Sequence, residues 1–397
     1  MPLEPTLATP SFPHPSRDAG DLDSAGGGGS GVLAPAPVPP PSSPERHALL
    51  AKRLPEQIEI ESLATQASGL ARVVREHVVS LPPFELPVYS FAFGSTDVTL
   101  PTIAFVGGVH GLERIGTNVA ISYLKTMLEL VQWDQGLNYL LSRCRIVIYP
   151  LVNPGGMLAR RRSNPRGVDL MRNAPLDAKD PPNVALVCGH RISARLPYFR
   201  GPVGAPVEGE AAALTAFIRR ELFASRFSLA LDMHSGFGMV DRIWFPYAYS
   251  RCPFEHLDLM HALKERVDRS LPNHPYIVEP QSLQYVTHGD LWDWLLLEQR
   301  QLAPSRMFLP LTLEMGSWLW IKKNPWQAFS LLGIFNPMKP HRLQRTLRRH
   351  HPLLDFFVRA SASHEHWAGQ AQLDGAEREQ RALDLWYGGR IAAMRSA

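Results

Sequence analysis

The stretch that decides the fold is PTIAFVGGVHGLERIG, residues 101–116. Its apolar run from Ile103 to Val106 is typical of a strand that is covered on both faces of a sheet. Two glycines follow, which allow a tight backbone turn, and then His110 and Glu113 stand three positions apart. A histidine and a carboxylate at the end of a buried strand are candidate metal ligands, although H-x-x-E alone is an unspecific pattern.

Two later strands end in the same way, in ALDMHSGFG (230–238) and FLPLTLEMGS (308–317). Asp232 and His234 lie on one face of the first strand by alternation. Glu314 is the only charged residue of the second. Burying such groups is costly unless they are paired, bind a metal or take part in chemistry.

Together the three strand ends predict one catalytic zinc ion, held by His110, Glu113 and His234. Two histidines and one carboxylate leave the fourth zinc position open for water, which is the catalytic rather than the structural arrangement. Glu314, not bound to the metal, would take a proton from that water. Each residue alone also fits an ordinary role, such as a hydrogen-bonded core histidine or a carboxylate that caps a loop.

The rest of the chain alternates between strand and helix patterns, which predicts an α/β fold. Predicted strands cover 103–106, 145–152, 228–234, 242–248 and 308–315. Predicted helices cover 114–131, 208–223, 254–269, 289–299 and 341–359, and two earlier helical stretches fill the region from Ser43 to about His77.

Composition divides the chain into three parts. Residues 1–42 are rich in Pro and Gly and hold few large apolar residues, so they cannot bury enough surface to offset their ordering entropy and are predicted to be disordered. Residues 43–360 are predicted to form a single hydrolase domain. Residues 361–397 are predicted to form a partly helical C-terminal tail.

The bulk composition narrows the partners and the compartment. Of 397 residues 45% are hydrophobic and the formal net charge is only +4, which does not by itself imply a nucleic-acid partner. The basic stretch 339–351 is predicted to be a solvated helix face rather than a nucleic-acid patch. No signal sequence, spanning segment or disulfide framework is evident, so the chain is expected to be cytoplasmic, with no membrane partner. The oligomeric state stays open.

Four motifs, taken in order, resemble the zinc metallocarboxypeptidase family typified by carboxypeptidase A. They are HGLE (110–113), GVDLMRN (167–173), LDMHS (231–235) and TLE (312–314). The resemblance extends from about residue 100 to 320, and GVDLMRN is its most specific part. It implies a three-layer α/β/α sandwich with a mixed, mostly parallel sheet.

The resemblance also implies roles for residues outside the ligand set. Asp169 would orient a ligand histidine. Arg162, or one of its neighbours Arg160 and Arg161, would polarise the scissile carbonyl. Arg172, followed by Asn173, would bind the terminal carboxylate of the substrate.

Two aromatic residues take their roles from an ungapped match to YVTHGDLWDW, residues 285–294. Tyr285 would lie on a mobile loop that closes over the substrate. Trp292 falls where the family sets its side-chain preference, and an indole there would disfavour Lys and Arg side chains.

One departure divides the functional hypotheses. Met171 stands where the family has the Asn that shares carboxylate binding with Arg172. The leading hypothesis is a metallocarboxypeptidase that cleaves an amide bond next to a free carboxylate, with a peptide or an acylated amino acid as its substrate. The alternative is a zinc amidohydrolase or deacylase that acts on N-acyl amino acids or cell-wall peptides. A non-catalytic binding protein and a nucleic-acid binder are further alternatives.

Overall fold

A computed structural model describes residues 44–181, 184 and 186–388 of the chain. The predicted disorder of residues 1–42 lies outside this range. Within it the chain forms eight β-strands: β1 (Arg72–Leu81), β2 (Phe84–Phe93), β3 (Thr102–Gly107), β4 (Arg145–Tyr149), β5 (Phe227–Ser235), β6 (Arg242–Phe245), β7 (Ile277–Pro280) and β8 (Met307–Met315).

The described residues also form thirteen α-helices. They are α1 (Pro44–Arg53), α2 (Pro55–Gln66), α3 (Arg114–Leu130), α4 (Gln135–Leu141), α5 (Pro154–Leu158), α6 (Gly209–Leu222), α7 (Leu257–Ser270), α8 (Leu291–Leu302), α9 (Trp318–Lys323), α10 (Leu331–Phe335), α11 (Pro340–Ala362), α12 (His364–Leu373) and α13 (Gly375–Trp386). Short 3-10 helices lie at Leu170–Arg172, Gln281–Leu283 and Pro325–Phe329. No described helix combines the length and the apolar character needed to cross a membrane.

The strands make one mixed sheet in the order β1-β2-β4-β3-β5-β8-β6-β7. The neighbours β4, β3, β5 and β8 run parallel, and so do β6 and β7. Antiparallel pairs join β1 to β2, β2 to β4 and β6 to β8. The mixed, mostly parallel sheet predicted from the resemblance is confirmed.

Helices cover both faces of this sheet. Every residue of β3 and β5 is buried, which requires helices on each side and explains the unbroken apolar runs at 103–106 and 229–231. Helices α2, α3 and α11 pack against one another and against the sheet, while α6 and α8 are joined by an ion pair between Arg219 and Glu298. The result is a three-layer α/β/α sandwich.

One prediction of local structure is corrected. The helical interpretation up to His77 is wrong beyond Gln66, because RVVREHVV begins β1, which pairs with β2 as a hairpin. The described residues after 360 are largely helical and pack on the domain. Helices α12 and α13 pack on α7, and the indole N–H of the buried Trp386 donates to the carbonyl of Val278 at 2.8 Å.

The parallel strands bring their carboxyl ends to one edge of the sheet, where open α/β sheets place their sites. His110 and Glu113 follow β3 directly, and His234 lies near the end of β5. Glu314, in β8, is the register partner of His234. The backbone bends sharply after β3 at Gly108, which has a φ of +67°; a side chain there would collide with Thr117.

Candidate metal centre and active site

The side chains of His110, Glu113 and His234 converge in the buried interior at this edge of the sheet. Their ligand atoms all lie within 4.8 Å of one another, and all three residues are buried. The Nδ1 atoms of the two imidazoles are 3.2 Å apart. The two oxygens of Glu113 lie 2.8 Å from His110 Nδ1 and 3.0 Å from His234 Nδ1, so the carboxylate bridges the two rings.

The far side of each imidazole faces a second carboxylate. His110 Nε2 lies 3.1 Å from Asp169, and His234 Nε2 lies 2.7 Å from Asp232. A carboxylate can only accept here, so each Nε2 carries the N–H that meets it, and each Nδ1 is the ring atom available to a metal ion. Metal-binding histidines are oriented in this way by their outer partners.

This donor set fits a divalent cation. Without a cation, both Nδ1 atoms need a proton to meet Glu113, which places two N–H groups against each other at 3.2 Å. One dication would replace those two protons, charge for charge. Zinc binds nitrogen at about 2.0–2.1 Å, and two tetrahedral nitrogen ligands then lie roughly 3.3 Å apart, close to the observed spacing.

The charges around the trio are strongly coupled. Burial raises the pKa of Glu113, but His110 and His234 outweigh it and hold that pKa well below its usual range. Burial likewise opposes ionisation of Asp169, yet Arg162 and His110 keep its pKa well below the ordinary value. Both acids are therefore carboxylates across the physiological range, as ligands and their partners must be.

Arg162 is the arginine that reaches this centre. Its Nε donates to Asp169 at 2.8 Å and its Nη1 donates to Glu113 at 3.0 Å, while its guanidinium lies 4.8 Å from the centre of the Tyr198 ring. Arg160 and Arg161 are exposed. Of the three consecutive arginines, Arg162 alone lines the cavity that contains the three candidate ligands.

Glu314 is buried at the end of β8 on the same cavity. One of its oxygens accepts a hydrogen bond from the backbone N–H of Phe237 at 3.0 Å. Burial and the nearby charge of Glu113 raise the pKa of Glu314 to about 8 in the metal-free protein. A buried carboxylate without a paired cation is available to exchange a proton, which is the property of a general base.

An open cavity of about 390 Å³ connects these residues. Its wall contains Arg172, Tyr285 and Met171. The Nε atom of Arg172 is buried without a hydrogen-bond partner among the described residues, and its guanidinium lies 6.0 Å from the centre of the Tyr285 ring. The structure therefore brings Arg172 and Tyr285 to the cavity, as the resemblance implies.

Two predicted substrate contacts lie elsewhere. The side-chain amide of Asn173 is taken up by the backbone: it donates to the carbonyl of Arg200 and accepts from the N–H of Glu208. Trp292 is buried behind the site, and its indole N–H donates to Asp232 at 2.8 Å. Neither residue lines the cavity in this structure, so the substrate roles predicted for Asn173 and Trp292 stay predictions.

Sequence reasoning missed two contributors to the site. From the sequence, Asp232 is identified as a buried polar residue but is not assigned as the partner of His234. The pattern D-x-H places both side chains on one face of the strand and could have predicted this pairing. Asn336, after α10, bonds the carbonyl of Leu112 and the N–H of Ile115, and so fixes the loop that carries Glu113. No local motif marks that long-range contact.

Comparisons with known proteins agree with this geometry. The family model described as zinc carboxypeptidase matches residues 84–308. Among solved structures, carboxypeptidase A from Helicoverpa armigera is 17% identical with a TM-score of 0.54, and covers 77% of this chain and 71% of its own. Bovine thrombin-activatable fibrinolysis inhibitor in complex with tick carboxypeptidase inhibitor is 20% identical with a TM-score of 0.51, and covers 77% and 93%.

At these identities the solved structures establish the shared fold, and a comparison with curated protein sequences gives no significant match. The family match covers more than half of the chain and includes His110, Glu113 and His234, although it ends before Glu314. The family is zinc-dependent, and the three converging side chains are of the type that zinc binds. The chain therefore belongs to the zinc carboxypeptidase family of metallopeptidases.

Proposed function

We propose that the protein is a metallocarboxypeptidase that hydrolyses the amide bond next to a free carboxylate, with one zinc ion held by His110, Glu113 and His234. The observation that supports this most directly is the convergence of the two imidazole Nδ1 atoms on the Glu113 carboxylate, in a cavity that also holds Glu314 and Arg172. A site for metal, a base and an anion-binding cation thus share one cavity.

Zinc, when bound, supplies a Lewis acid for the carbonyl and lowers the pKa of water. Glu314 then acts as the general base: it removes a proton from the attacking water and later gives it to the amine nitrogen that leaves. The water oxygen forms the new bond to the carbonyl carbon as the carbon–nitrogen bond breaks. Burial raises the pKa of Glu314 in the metal-free protein, and a zinc ion beside it would lower that pKa again, which would leave a carboxylate able to accept the proton of the water.

Arg162 stabilises the charge that develops on the carbonyl oxygen. Its Nε and Nη1 atoms are held by Asp169 and Glu113, which fixes the guanidinium plane at the edge of the cavity. A donor already fixed in place stabilises a developing oxyanion without reorganisation. Because the same two carboxylates support the metal ligands, Arg162 and the metal centre are positioned as one unit.

Arg172 binds the free carboxylate of the substrate. A buried guanidinium with an unsatisfied Nε atom needs an anionic partner, and a substrate carboxylate supplies one. The face of Tyr285 next to it adds a contact for the substrate and limits the opening of the cavity. This pair determines which end of a peptide the site accepts.

A second candidate, a zinc amidohydrolase or deacylase of N-acyl amino acids or cell-wall peptides, has one observation in its favour. Met171 lies in the cavity wall beside Arg172, where a thioether cannot donate a hydrogen bond to a carboxylate. The anchor is therefore a single arginine, and a short acylated amino acid satisfies it as well as a peptide does.

The decisive test compares peptides that differ only in a free or an amidated C-terminus, assayed with the zinc-loaded protein beside a panel of N-acyl amino acids. Carboxypeptidase activity predicts turnover of the free form and little of the amide. Equal turnover of both peptides would contradict it. Preference for the N-acyl amino acids would establish the deacylase instead.

Arg172→Gln provides the internal check on this assignment. Loss of a charged hydrogen-bond partner costs about 1.5–3 kcal/mol, so kcat/KM for the free peptide should fall roughly 10- to 100-fold, mainly through KM. Arg161→Gln is the matched control, because Arg161 is exposed and lies near the site without lining the cavity. An unchanged KM in Arg172→Gln would remove Arg172 from substrate binding.

A further inference from the structure

Beyond the part of the chain that matches the family, residues 315–354 form what we call the basic aromatic segment. These 40 residues contain seven Lys and Arg and no Asp or Glu, whereas the rest of the chain has 34 basic and 37 acidic residues. Within the described residues, Asp241 is the one acid that pairs with the segment, through Arg349 and His350. The positive charge of the protein is therefore concentrated here.

The segment also exposes large aromatic side chains. Trp326 is 80% exposed and Phe329 is 86% exposed, and their ring centres are 5.9 Å apart. Leu331 beside them is 63% exposed. Two adjacent exposed aromatic rings together with an exposed aliphatic side chain are unusual for a surface that contacts only water.

The backbone beneath these rings is held firmly. The buried side chain of Gln327 donates to the carbonyls of Gly333 at 2.7 Å and Asn336 at 2.8 Å, which ties the 3-10 helix to α10. Because this polar anchor fixes the short helix from within, Trp326 and Phe329 are presented outward by a folded scaffold rather than by a loose loop.

A cationic cleft of about 190 Å³ adjoins this surface, between α9 and the first half of α11. Five basic residues line it: Lys323, His341, Arg342, Arg345 and Arg349. Arg342 is fixed by the carbonyls of Trp320 and Lys323, at 3.3 and 3.2 Å. Arg349 is paired with Asp241, so Lys323 and Arg345 are the cations that face this small cavity without a carboxylate partner among the described residues, and together they suit a phosphate-sized anion.

The same segment forms part of the active-site wall. Phe335, at the end of α10, lines the catalytic cavity, and the Trp318 indole N–H donates to the carbonyl of Gly236, which also lines it. The basic aromatic segment is therefore continuous with the wall of the catalytic cavity.

We propose that the basic aromatic segment docks the protein peripherally on an anionic lipid surface. Headgroup phosphates occupy the cationic cleft, and Trp326 and Phe329 enter the interfacial layer of the bilayer. Aromatic rings favour that layer, and clustered Lys and Arg bind anionic headgroups. This departs from the expectation of no membrane partner, which rested on the lack of a spanning segment.

The test is co-sedimentation of the full chain with two kinds of vesicle, pure phosphatidylcholine and equal parts phosphatidylcholine and phosphatidylglycerol. Binding should require phosphatidylglycerol and weaken as salt is added. Replacing both aromatics, Trp326→Ser with Phe329→Ser, should weaken binding at least about tenfold. Lys323→Gln and Arg345→Gln should each weaken it about fivefold, the effect of one charge near such a surface.

Matched controls come from exposed residues outside the basic aromatic segment. Trp133 is 64% exposed and Arg143 is also exposed, so Trp133→Ser and Arg143→Gln should bind vesicles as the unaltered protein does. Hydrolysis of a soluble substrate should be unchanged by Trp326→Ser with Phe329→Ser, which separates docking from catalysis.

Several results would overturn the proposal. Equal binding to both vesicle types, or full binding by the variant with both aromatics replaced, would exclude an anionic lipid surface as the partner. If a single-stranded oligonucleotide bound more tightly than the phosphatidylglycerol vesicles, and Arg345→Gln weakened that binding, the cleft would be a nucleic-acid site. A dimer in solution that Trp326→Ser dissociates would make the exposed rings a contact between copies of the chain.

Discussion

Two clusters of buried charge lie at opposite ends of the same parallel strands. At the amino ends of β3 and β4, Glu221 accepts hydrogen bonds from Arg72, Arg145 and Arg220, and Arg145 also bonds the Glu221 carbonyl. At the carboxyl ends, Glu314 has one backbone hydrogen bond from Phe237. The first cluster pairs its carboxylate with three cations, whereas no cation among the described residues forms an ion pair with the carboxylate of the second.

The pKa values follow this difference. Burial opposes ionisation of both acids, but the three arginines lower the pKa of Glu221 to about 2, while burial and Glu113 raise that of Glu314 to about 8. A fully compensated buried charge stabilises the fold, whereas an uncompensated one is a reactive group that the fold must support. Burial alone does not distinguish a structural acid from a functional one; its partners do.

The largest expected effects come from replacing each buried glutamate with glutamine, Glu314 at the carboxyl ends of the strands and Glu221 at the amino ends. Glu314→Gln should reduce kcat by about 10²–10⁴-fold, because general acid–base catalysis contributes that much. Zinc content should not change, since Glu314 is not a ligand. Steady-state kinetics and metal analysis of the purified variant provide the measurement, and activity near that of the unaltered enzyme would show that another group is the base.

Glu221→Gln should lower the stability of the protein and leave its turnover unchanged, the reverse of Glu314→Gln. Removing the carboxylate leaves the buried Arg145 uncompensated, which costs about 3–5 kcal/mol in a fully buried pair; we expect the lower end, because Arg72 and Arg220 are partly exposed and Arg220 also pairs with Glu76. Turnover at a temperature where the variant is folded should be unaltered. Denaturant unfolding measures the first quantity and steady-state kinetics the second. Loss of turnover with unchanged stability would reverse the roles assigned to the two ends.

A smaller effect is expected at Trp292, which supports the metal centre from behind. The oxygen of Asp232 that meets His234 also accepts the Trp292 indole N–H. Trp292→Phe removes that hydrogen bond and keeps an aromatic ring in the core. Outer partners of metal ligands change affinity by about 10- to 100-fold, and we expect the lower end because His234 still contacts Asp232.

The measurement for Trp292 is zinc affinity by competition with a chelator. Trp294→Phe is the matched control, because Trp294 lies two residues away on α8, and its indole stacks on Arg219 rather than on the site. Unchanged zinc affinity in Trp292→Phe would mean that Asp232 holds His234 without help. A changed affinity in the control would indicate a general effect of α8.

The sequence predicted the metal centre better than its surroundings. His110, Glu113 and His234 could be identified because each follows an apolar strand, and parallel strands bring their ends together. The position of the Trp292 side chain could not be predicted from its spacing of seven residues after Tyr285. Asp290 caps α8 by accepting from the N–H groups of Trp292 and Asp293, and this helix start turns the indole inward.

The contacts that support the site and the Glu221 cluster could not be predicted, because they join residues far apart in the sequence. Asn336 meets Leu112 across more than two hundred residues, and Glu221 meets Arg72 across 149. Neither pairing leaves a periodic or local pattern. The sequence pattern predicts a helix at β1, because VVREHVV has no polar alternation strict enough to mark a strand; its pairing with β2 decides its conformation. Local sequence thus predicts which groups gather at a strand end, and tertiary contacts decide their partners.

The smallest expected effect is a difference in the sign of the pH dependence of stability, measured on metal-free protein. Glu221 has a lowered pKa, so its contribution is present above about pH 4.5 and is lost as the pH falls toward 2. Glu314 has a raised pKa, so the folded state keeps a proton that the unfolded state has released between about pH 4.5 and 8, and stability falls as the pH rises. Each slope is at most about 1.4 kcal/mol per pH unit.

Unfolding curves measured across this pH range test both signs. The loss of stability at low pH should be weaker in Glu221→Gln, and the loss of stability as the pH rises toward 8 should be weaker in Glu314→Gln. Zinc should abolish the second slope, because a cation beside Glu314 stabilises its carboxylate. If both variants changed the same side of the profile, the two ends of the sheet would not differ in the way that their charges indicate.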